Sequence, residues 1–413
     1  QCRIQGGKIS GHMTPLVNRP LALFACPFSL LDTSSGAAIS LHTLLAALKK
    51  RGWDVVAVQA SVFDSPDGAR VMNQVVGQVP PKKPSGNSLI FRILREGVEH
   101  LVVRTGSTDR LRMTSAEEEL FLKQFRDRIS LRRPAFVVLW GNMLLERTLM
   151  AEARNAGVPV VFYLVNGGYM DIEPFVHASL IVTDSRATAE LYGKRLGLDC
   201  RVIGRFVDPR AVVSPRRQPR YVTFINPGVP KGAALFMAIA RLANRVRPDI
   251  RWLVVEGRHR WSDALRHLGQ SADGFPNVAI APHQTDMRPV YAATRVLLVP
   301  SLWHESGARV ITEAQLNGIP VVGTNFGGTP EGVGDAGLLL DVPDELRANP
   351  SAPVAESVAK AWLEGLCGLL DNPARYDDLC RKALAKAESD HIEGSTKRFL
   401  DALVSIAPTP LAT

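Results

Sequence analysis

Short runs of consecutive apolar residues alternate with segments of helical periodicity along most of the chain. Residues 21–26 form a continuous apolar run, which is typical of a strand buried on both faces of a sheet. Residues 37–48 repeat apolar side chains at helical spacing and are followed by Gly52, a residue type that commonly ends a helix. A second strand-like run occupies residues 54–60. The order strand, helix, strand predicts a parallel sheet.

The same alternation extends to about residue 203. Residues 87–104 are predicted to form a hairpin that turns near Glu96 and Gly97. Thr114 and Glu117 have the spacing of a capping box, which predicts a helix through about residue 131. Further strands are predicted near residues 136–140, 159–165, 180–183 and 200–203. The first half of the chain is therefore predicted to be an α/β domain.

A break in this pattern divides the chain into two halves. Residues 214–220, S-P-R-R-Q-P-R, are polar, basic and interrupted by proline, and we expect them to form a linker. A second α/β series follows, with strands predicted at residues 221–225, 252–255, 278–281, 296–299 and 321–323. We therefore expect two doubly wound domains, residues 14–213 and 214–386, with a ligand cleft at the carboxyl edges of their strands.

The two ends of the chain are expected to lie outside these domains. Residues 387–413 are predicted to contain a C-terminal helix and a loose tail. Residues 1–13 end in Gly11-His12-Met13, look like a remnant of cloning and are left out of the fold prediction.

Composition narrows the class of protein without choosing a ligand. The 413 residues are 46% hydrophobic and 22% charged, which excludes a mainly disordered or fibrous chain. The net charge of +9 favours an anionic partner such as a nucleotide, a phospholipid surface or nucleic acid. No apolar run is long enough to predict a transmembrane helix. The five cysteines lack the spacing of a zinc or redox site and are interpreted as reduced thiols of a cytosolic protein.

The stretch from residue 297 to residue 332 contains most of the candidate chemistry. A strand is predicted to end at Pro300, and Ser306 with Gly307 is predicted to open a helix. Gly318 and Pro320 are predicted to close that helix. Its free N–H groups would point out of the strand edge, where they can bind an anion.

Two glutamates flank this predicted anion site. Glu305 and Glu313 are eight residues apart, or about 12 Å along a helix axis. That separation is of the order of the distance between the sugar and the ribose of a nucleotide-sugar. Two carboxylates so placed could accept hydrogen bonds from hydroxyls at both ends of such a ligand.

The two glutamates are part of a longer pattern, P-S-x-x-x-E-S-G-x-x-x-x-x-E-A-x-x-x-G-x-P-V-V, that runs from Pro300 through Val322. It resembles the motif of the retaining glycosyltransferases of family 4, the glycosyl transferases group 1, which have the GT-B fold. The resemblance covers the second half of the chain well and the first half loosely. It implies that Glu305 binds hydroxyls of the donor sugar and that Glu313 binds the ribose. It also implies that the donor faces the backbone around Ser306, Gly307, Ala308 and Arg309.

Two loops match phosphate-binding parts of the same family. Gly36 matches the family's glycine loop, where a side chain would block close approach of a phosphate. Residues 224–232 match the loop in which an arginine and, five positions later, a lysine neutralise the diphosphate. Lys231 is in place, but Asn226 stands where the arginine is expected. Which cation replaces that arginine stays open, and the candidates are Arg205, Arg258 and Arg309.

The first half departs from the family pattern at a position that faces the reacting sugar. The family often has a histidine just after the strand predicted at residues 159–165, and Asn166 stands there. Asparagine can form hydrogen bonds, but it cannot act as a general base near neutral pH. His283 and His304 are predicted to lie near the cleft, with a structural or solvent-facing role as the alternative for each.

Two clusters of charge have less specific interpretations. Asp171 and Glu173 resemble an acidic metal pair, but the lack of further ligands favours a solvated turn. A group of basic residues could contact an anionic membrane or a phosphorylated acceptor, or could be a solvated face. Its members are Arg126, Arg128, Arg132, Arg133, Lys82 and Lys83. No zinc pattern, Walker phosphate loop or nucleophile elbow occurs in the sequence.

The resemblance and the pattern together predict an α/β protein of the GT-B fold, in which two Rossmann-like domains face a cleft and a C-terminal helix crosses back to the first domain. The implied activity is retaining transfer of a hexose-like sugar from a UDP- or GDP-sugar to a hydroxyl acceptor, which could be a glycan, a glycolipid or a small molecule. Glu305, Lys231 and Asn166 are the catalytic candidates. The first domain would bind the acceptor and the second the donor.

No cofactor, metal or nucleic acid is expected, and the protein is expected to be cytoplasmic, with peripheral contact to an anionic membrane left open. Two other functions also stay open. One is a nucleotide-sugar epimerase that shares the fold. The other is a non-catalytic nucleotide-sugar-binding protein, which the departures at Asn226 and Asn166 would suit.

Overall fold

The computed structural model describes residues 19–77 and 89–406, and these fold into two α/β units, each with its own sheet. The predicted pair of α/β domains is therefore confirmed. The segment interpreted as a cloning remnant, residues 1–13, lies outside the described residues, as do Lys82 and Lys83 of the basic group.

The first domain is built on an eight-stranded sheet. Its strands are β1 (Leu21–Ala25), β2 (Asp54–Ala60), β3 (Ile90–Arg95), β4 (Val98–Val103), β5 (Phe136–Leu139), β6 (Val160–Leu164), β7 (Leu180–Thr183) and β8 (Cys200–Val202). They stand in the order β3-β4-β2-β1-β5-β6-β7-β8, and β3 and β4 form the antiparallel hairpin predicted from the sequence. The other neighbouring pairs are parallel, as the strand-helix-strand order predicts.

The helices of this domain include the two predicted at residues 37–48 and up to about residue 131. They are α1 (Gly36–Lys50), α2 (Arg70–Gly77), α3 (Ser115–Leu131), α4 (Leu144–Asn155), α5 (Arg186–Leu196) and α6 (Pro209–Val212). The predicted capping box opens α3: the Glu117 N–H donates to Thr114 Oγ1 at 3.4 Å, and the Thr114 N–H donates to Glu117 Oε2 at 2.8 Å. These bonds satisfy backbone donors that the first turn of a helix leaves without partners.

The second domain has a six-stranded sheet that is parallel throughout. Its strands are β9 (Tyr221–Ile225), β10 (Trp252–Val255), β11 (Val278–Ala281), β12 (Thr294–Val299), β13 (Val321–Thr324) and β14 (Gly337–Leu340). They stand in the order β11-β10-β9-β12-β13-β14. The helices are α7 (Ala233–Val246), α8 (Trp261–His267), α9 (Arg288–Ala293), α10 (Arg309–Leu316), α11 (Thr329–Val333), α12 (Asp344–Ala348), α13 (Glu356–Leu370) and α14 (Pro373–Ser389), and α15 (Ile392–Val404) follows them in the chain.

The last helix returns to the first domain, as predicted. The buried ring of Phe399 in α15 lies 5.7 Å from the ring of Phe136 and 6.2 Å from the ring of Phe206, measured between centroids. The N–H of Ile392 also donates to the Val207 carbonyl at 3.1 Å. Because Phe399 is buried in the core of the first domain, α15 joins the two domains through apolar packing.

The helix after β12 begins later than the sequence predicts. Ser306 and Gly307 do not open it; α10 begins at Arg309, with Ala308 as its N-cap. Ser306 instead directs its hydroxyl across the cleft, where Oγ lies 3.2 Å from Oγ1 of Thr183 in the first domain. Ser306 is therefore used in a contact between the domains, which the local capping signal does not predict.

The later start changes the geometry of the glutamate pair. Glu305 lies in the loop before α10, and its carbonyl accepts a hydrogen bond from the Gly328 N–H at 2.7 Å. Glu313 lies within α10. The helical rise therefore does not apply over the whole span between the two glutamates, and their separation of about 12 Å stays a prediction, while both residues line the same cleft.

Candidate active site

A cleft of about 930 Å³ lies between the carboxyl edges of the two sheets. The structure brings all the catalytic and donor-binding candidates to this cleft: Gly36, Asn166, Asn226, Lys231, Glu305, Ser306, Gly307, Ala308, Arg309 and Glu313. The strand order reverses between β1 and β5 in the first sheet and between β9 and β12 in the second. Ligands of doubly wound sheets bind at such reversals, so the cleft is where a ligand is expected.

Gly36 and Asn166 line the cleft from the first domain. A Cβ added to Gly36 would meet no protein atom within 4 Å, so the space in front of this residue is open. Asn166 follows β6, and its side-chain oxygen accepts a hydrogen bond from the Gly168 N–H at 2.9 Å. Its carbonyl accepts the Tyr192 hydroxyl at 2.9 Å, which fixes the backbone at this point.

Lys231 and Glu305 form an ion pair in the cleft. Lys231 follows β9, Glu305 follows β12, and the Lys231 ammonium donates to Glu305 Oε1 at 2.6 Å. The Ser301 hydroxyl donates to the same oxygen at 2.7 Å. No described residue forms a hydrogen bond with Glu305 Oε2. The carboxylate is therefore held by one oxygen and keeps the other available for a ligand hydroxyl.

Glu313 is a buried residue of α10 that lines the cleft. The Tyr291 hydroxyl donates to Glu313 Oε2 at 2.6 Å, and the Arg309 guanidinium donates to Oε1. Burial and the neighbouring carboxylate raise the pKa of Tyr291 well above its usual range, so the hydroxyl stays a donor. Each carboxylate oxygen has a second lone pair, so Glu313 can still accept a ligand hydroxyl.

Asn226 adopts a backbone conformation that suits its residue type. Its φ angle is 62°, in the left-handed region that asparagine tolerates better than most residues. Its side-chain oxygen accepts two hydrogen bonds from His259, one from the backbone N–H and one from ring Nδ1, both at 3.0 Å. Asn226 therefore positions His259 and supplies no charge at the place where the family has an arginine.

The candidate arginines either pair with other protein groups or lie outside the lining of the cleft. Arg309 donates to the Phe206 carbonyl at 2.6 Å as well as to Glu313, and so ties α10 to the first domain. Arg258 lines the cleft and pairs with Asp64 of the first domain. Arg205 is buried outside the cleft lining, and its Nε and Nη2 have no hydrogen-bond partner. Arg258 and Arg309 therefore line the cleft while paired with other protein groups, and Arg205 does not line it.

Sequence reasoning missed a buried carboxyl group on the first-domain side. Asp184 directly follows β7, lines the cleft and accepts the Tyr163 hydroxyl at 3.0 Å. Burial raises the pKa of Asp184 to about 7, against the opposing effects of the Arg205 cation and the Tyr163 hydrogen bond. An ionisable residue at the carboxyl end of a buried strand was the available signal, because that edge of the sheet faces ligands.

The two histidines predicted near the cleft both bridge the domains. His283 lines the cleft, and its Nε2 lies 3.0 Å from the Thr33 hydroxyl. His304 is not among the cleft-lining residues, and its Nε2 lies 3.1 Å from the Thr188 hydroxyl. Burial is the largest cause that lowers the pKa of each. Both therefore have a structural contact, and only His283 has a place in the cleft.

The four described members of the basic group all have partners. Arg126 bonds Glu152, Arg128 lies 3.8 Å from Glu99, Arg132 bonds Asp54 at 2.7 Å, and Arg133 bonds the Gly157 carbonyl. The carboxylates offset much of the positive charge of this face. Contact with an anionic membrane stays a prediction.

The acidic pair of the first domain forms the turn that the sequence favours. Asp171 Oδ1 accepts the Glu173 N–H at 3.2 Å, and Glu173 pairs with Arg147. Across residues 19–77 and 89–406, no group of three or more histidine, cysteine, aspartate or glutamate side chains is arranged to hold a metal ion. In the same ranges, no helix combines the length and the apolar character needed to cross a bilayer.

Comparison of the sequence with known proteins points to one group of enzymes. Residues 221–349 match the family model described as Glycosyl transferases group 1. The chain is 36% identical over 119 residues to the O-antigen chain mannosyltransferase B of Escherichia coli, covering 28% of this chain and 27% of that protein. It is 31% identical over 206 residues to the D-inositol 3-phosphate glycosyltransferase of Rhodococcus opacus (strain B4), covering 47% of this chain and 41% of that protein. The chain thus spans well under two thirds of the curated relatives it matches.

Solved structures extend the likeness over both domains. The sucrose-phosphate synthase of Thermosynechococcus elongatus superposes with a TM-score of 0.66 at 15% identity, over 94% of this chain and 99% of that one. Anabaena HepE in complex with UDP and glucose superposes with a TM-score of 0.62 at 15% identity, over 94% of this chain and 100% of that one. The pneumococcal O-GlcNAc transferase GtfA in complex with UDP and GlcNAc superposes with a TM-score of 0.65 at 10% identity, over 94% of this chain and 100% of that one. The chain therefore has the GT-B fold, and its second domain matches the group 1 glycosyl transferases.

Proposed function

We propose that the protein is a glycosyltransferase that moves a sugar from a nucleotide-diphosphate-sugar to a hydroxyl acceptor, with retention of the anomeric configuration. The observation that supports this most is the meeting of Lys231, Glu305 and Glu313 in one cleft at the strand-order reversals of both sheets. All three lie within residues 221–349, the part that matches the group 1 glycosyl transferases. The donor base is proposed to be uracil or guanine; two of the structural neighbours are described as complexes with UDP.

The donor would lie along the second domain. Glu313 is proposed to accept the ribose hydroxyls, and Lys231 to neutralise the diphosphate. Glu305 is proposed to accept sugar hydroxyls through Oε2, the oxygen that neither Lys231 nor Ser301 bonds. The backbone of residues 306–309 would face the sugar and the diphosphate. The two glutamates would therefore bind different parts of one ligand.

Transfer is proposed to proceed without a covalent enzyme intermediate. The bond from the anomeric carbon to the diphosphate oxygen breaks, and that oxygen takes both electrons while Lys231 stabilises its charge. The acceptor oxygen attacks the same face of the sugar. The departing phosphate oxygen then takes the acceptor proton, which balances the reaction. Asn166 is suited to hydrogen-bond a sugar or acceptor hydroxyl, since it cannot take a proton near neutral pH.

Release of nucleoside diphosphate from a panel of UDP- and GDP-sugars, with and without a panel of hydroxyl acceptors, tests this proposal. We expect release that depends on the acceptor and a new glycoside in the mass spectrum. Conversion of the donor to an isomer without acceptor would favour an epimerase. Donor binding without turnover over the whole acceptor panel would favour a non-catalytic binding protein.

Replacing Glu313 by alanine is expected to weaken nucleotide-sugar and free nucleoside diphosphate alike. Loss of a charged hydrogen bond to the ribose costs about 1.5–3 kcal/mol, or roughly tenfold to a hundredfold in affinity. Calorimetric titration measures both ligands. Tyr291→Phe is the control, because it removes the 2.6 Å bond to Glu313 Oε2 but keeps the carboxylate. Equal affinities for Glu313→Ala and wild type would contradict the ribose assignment.

Exhaustive chelation is expected to leave activity in place. The proposed site offers Lys231 and the backbone at the start of α10 as positive groups for the leaving diphosphate. Turnover is measured after treatment with EDTA and dialysis, and again after addition of magnesium or manganese. Loss of activity on chelation with recovery on adding metal would contradict the metal-free mechanism and would make Asp171 and Glu173 candidate ligands.

A further inference from the structure

The loop after β9 contains one cationic side chain where the resemblance leads us to expect two. Lys231 lines the cleft, while the arginine position is occupied by Asn226. A diphosphate carries more than one negative charge, so a second positive group would improve its binding. A second cation at this place rests on the proposed function, because it would bind the diphosphate of the proposed donor.

His259 is fixed against this loop. It lies between β10 and α8 and lines the cleft. Asn226 Oδ1 accepts both its backbone N–H and its ring Nδ1 at 3.0 Å. The ring lies over Gly228: a Cβ added there would come within 2.6 Å of Nδ1 and 2.9 Å of Cε1. Gly228 therefore leaves the room in which the ring packs, and Asn226 sets its orientation.

These contacts decide which ring nitrogen faces a ligand. The backbone N–H of His259 can only donate, so the Asn226 atom that it meets must be the oxygen. The same oxygen faces Nδ1, so Nδ1 donates and has a proton. Nε2 has no hydrogen-bond partner among the described residues and is not one of their buried unpartnered atoms. In the neutral ring Nε2 has a lone pair and can only accept a hydrogen bond. Only the protonated ring can donate from Nε2 to an anion.

We infer that His259, held by Asn226, is the second diphosphate-binding cation of this protein and that it takes up a proton when the nucleotide binds. The asparagine at the family's arginine position would then serve to orient this histidine toward the diphosphate. Asparagine in the left-handed conformation accepts two hydrogen bonds from one residue and so presents a histidine in place of the arginine.

The charges around the ring set the direction of the pH dependence. Burial is the largest effect on His259 and lowers its pKa below the usual value. Arg258 and Lys231 lower it further, and Asp263 of α8 raises it. The free protein therefore has a neutral His259 near pH 7, and a bound diphosphate would raise this pKa. Affinity should rise as pH falls through the pKa of the bound state and level off below the pKa of the free state.

Calorimetry of UDP and GDP binding in buffers of different ionisation enthalpy measures proton uptake directly. We expect the wild-type protein to take up protons near pH 7. We expect His259→Asn to lose that uptake and to bind about tenfold or more weakly at pH 6.5. The nucleotide's own titration is common to both proteins and cancels in the comparison. His267→Asn is the matched control, because His267 is exposed at the end of α8 and bonds Ser351.

The outcomes separate this inference from the proposed function. Binding of a UDP- or GDP-sugar, whose diphosphate has no group that titrates near pH 7, by wild type with no proton uptake overturns the role of His259 and leaves the proposed function standing. Equal uptake by wild type and a folded His259→Asn protein does the same. If no UDP, GDP or corresponding sugar nucleotide binds the wild-type protein, the proposed function itself is wrong. The wild-type measurement is independent of whether the variant folds.

Discussion

Replacing Lys231 by alanine is expected to lower turnover by about 100-fold to 1,000-fold, the range seen when one group that stabilises a developing negative charge is removed. Lys231 is the lysine that lines the cleft from the loop after β9, and its ammonium already contacts Glu305. Without it, the departing diphosphate loses the one of its two proposed cations that has a full charge before the nucleotide binds. Steady-state kinetics with the preferred donor and acceptor measures the loss, and free nucleoside diphosphate should also bind more weakly.

The same substitution breaks an ion pair, so stability has to be measured alongside activity. Glu305 would keep its hydrogen bond from Ser301 but lose the one from Lys231. We expect the free energy of unfolding to fall by about 1–3 kcal/mol, which urea denaturation can detect. Lys360→Ala is the control, because Lys360 is an exposed lysine on α13 that pairs with Glu364. Turnover within a few-fold of wild type for folded Lys231→Ala would contradict the role proposed for Lys231.

Replacing Glu305 by alanine is expected to lower turnover at least tenfold to a hundredfold, while affinity for free nucleoside diphosphate changes little. The expected loss corresponds to about 1.5–3 kcal/mol for a charged hydrogen bond to the sugar. The diphosphate should be spared because Glu305 is proposed to meet the sugar alone. Freed from its partner, Lys231 would remain available to the phosphates.

Two measurements on Glu305→Ala check this division of roles. Kinetics gives the loss of turnover, and calorimetric titration with the nucleoside diphosphate gives the affinity. Glu345→Ala, at an exposed position in α12, controls for the loss of a carboxylate. A large loss of diphosphate affinity in Glu305→Ala would place this side chain at the phosphates, and unchanged turnover would remove it from the site.

Local patterns predicted the elements and the long motif well. Continuous apolar runs mark β1 and β6 because both strands are buried along their whole length. The capping box at Thr114 and Glu117 predicted the start of α3, since both of its hydrogen bonds are made within one turn. The candidates on the loops after β9 and β12 meet because the carboxyl ends of parallel strands share one edge of the sheet.

What the sequence did not predict depends on contacts between distant parts of the chain. Helix α10 begins at Arg309, and Ser306, which the sequence predicts to open it, contacts Thr183 of the first domain instead. Asp184 gains its raised pKa from burial between the domains, which no local pattern specifies. The candidates for a replacement cation were all arginines, whereas the residue that Asn226 contacts is His259, from a different loop. The sequence alone does not predict this contact, because it joins two loops that are brought together only by the fold.

Proton NMR of a reaction mixture with the active donor and acceptor tests the central claim most directly. The spectrum reports the donor, the product and the anomeric configuration of each in one experiment. The proposed function predicts that a glycoside with the configuration of the donor appears as nucleoside diphosphate is released, and that donor alone stays unchanged over the same time. A product of inverted configuration would contradict retention, and an isomerised donor without acceptor would contradict transfer.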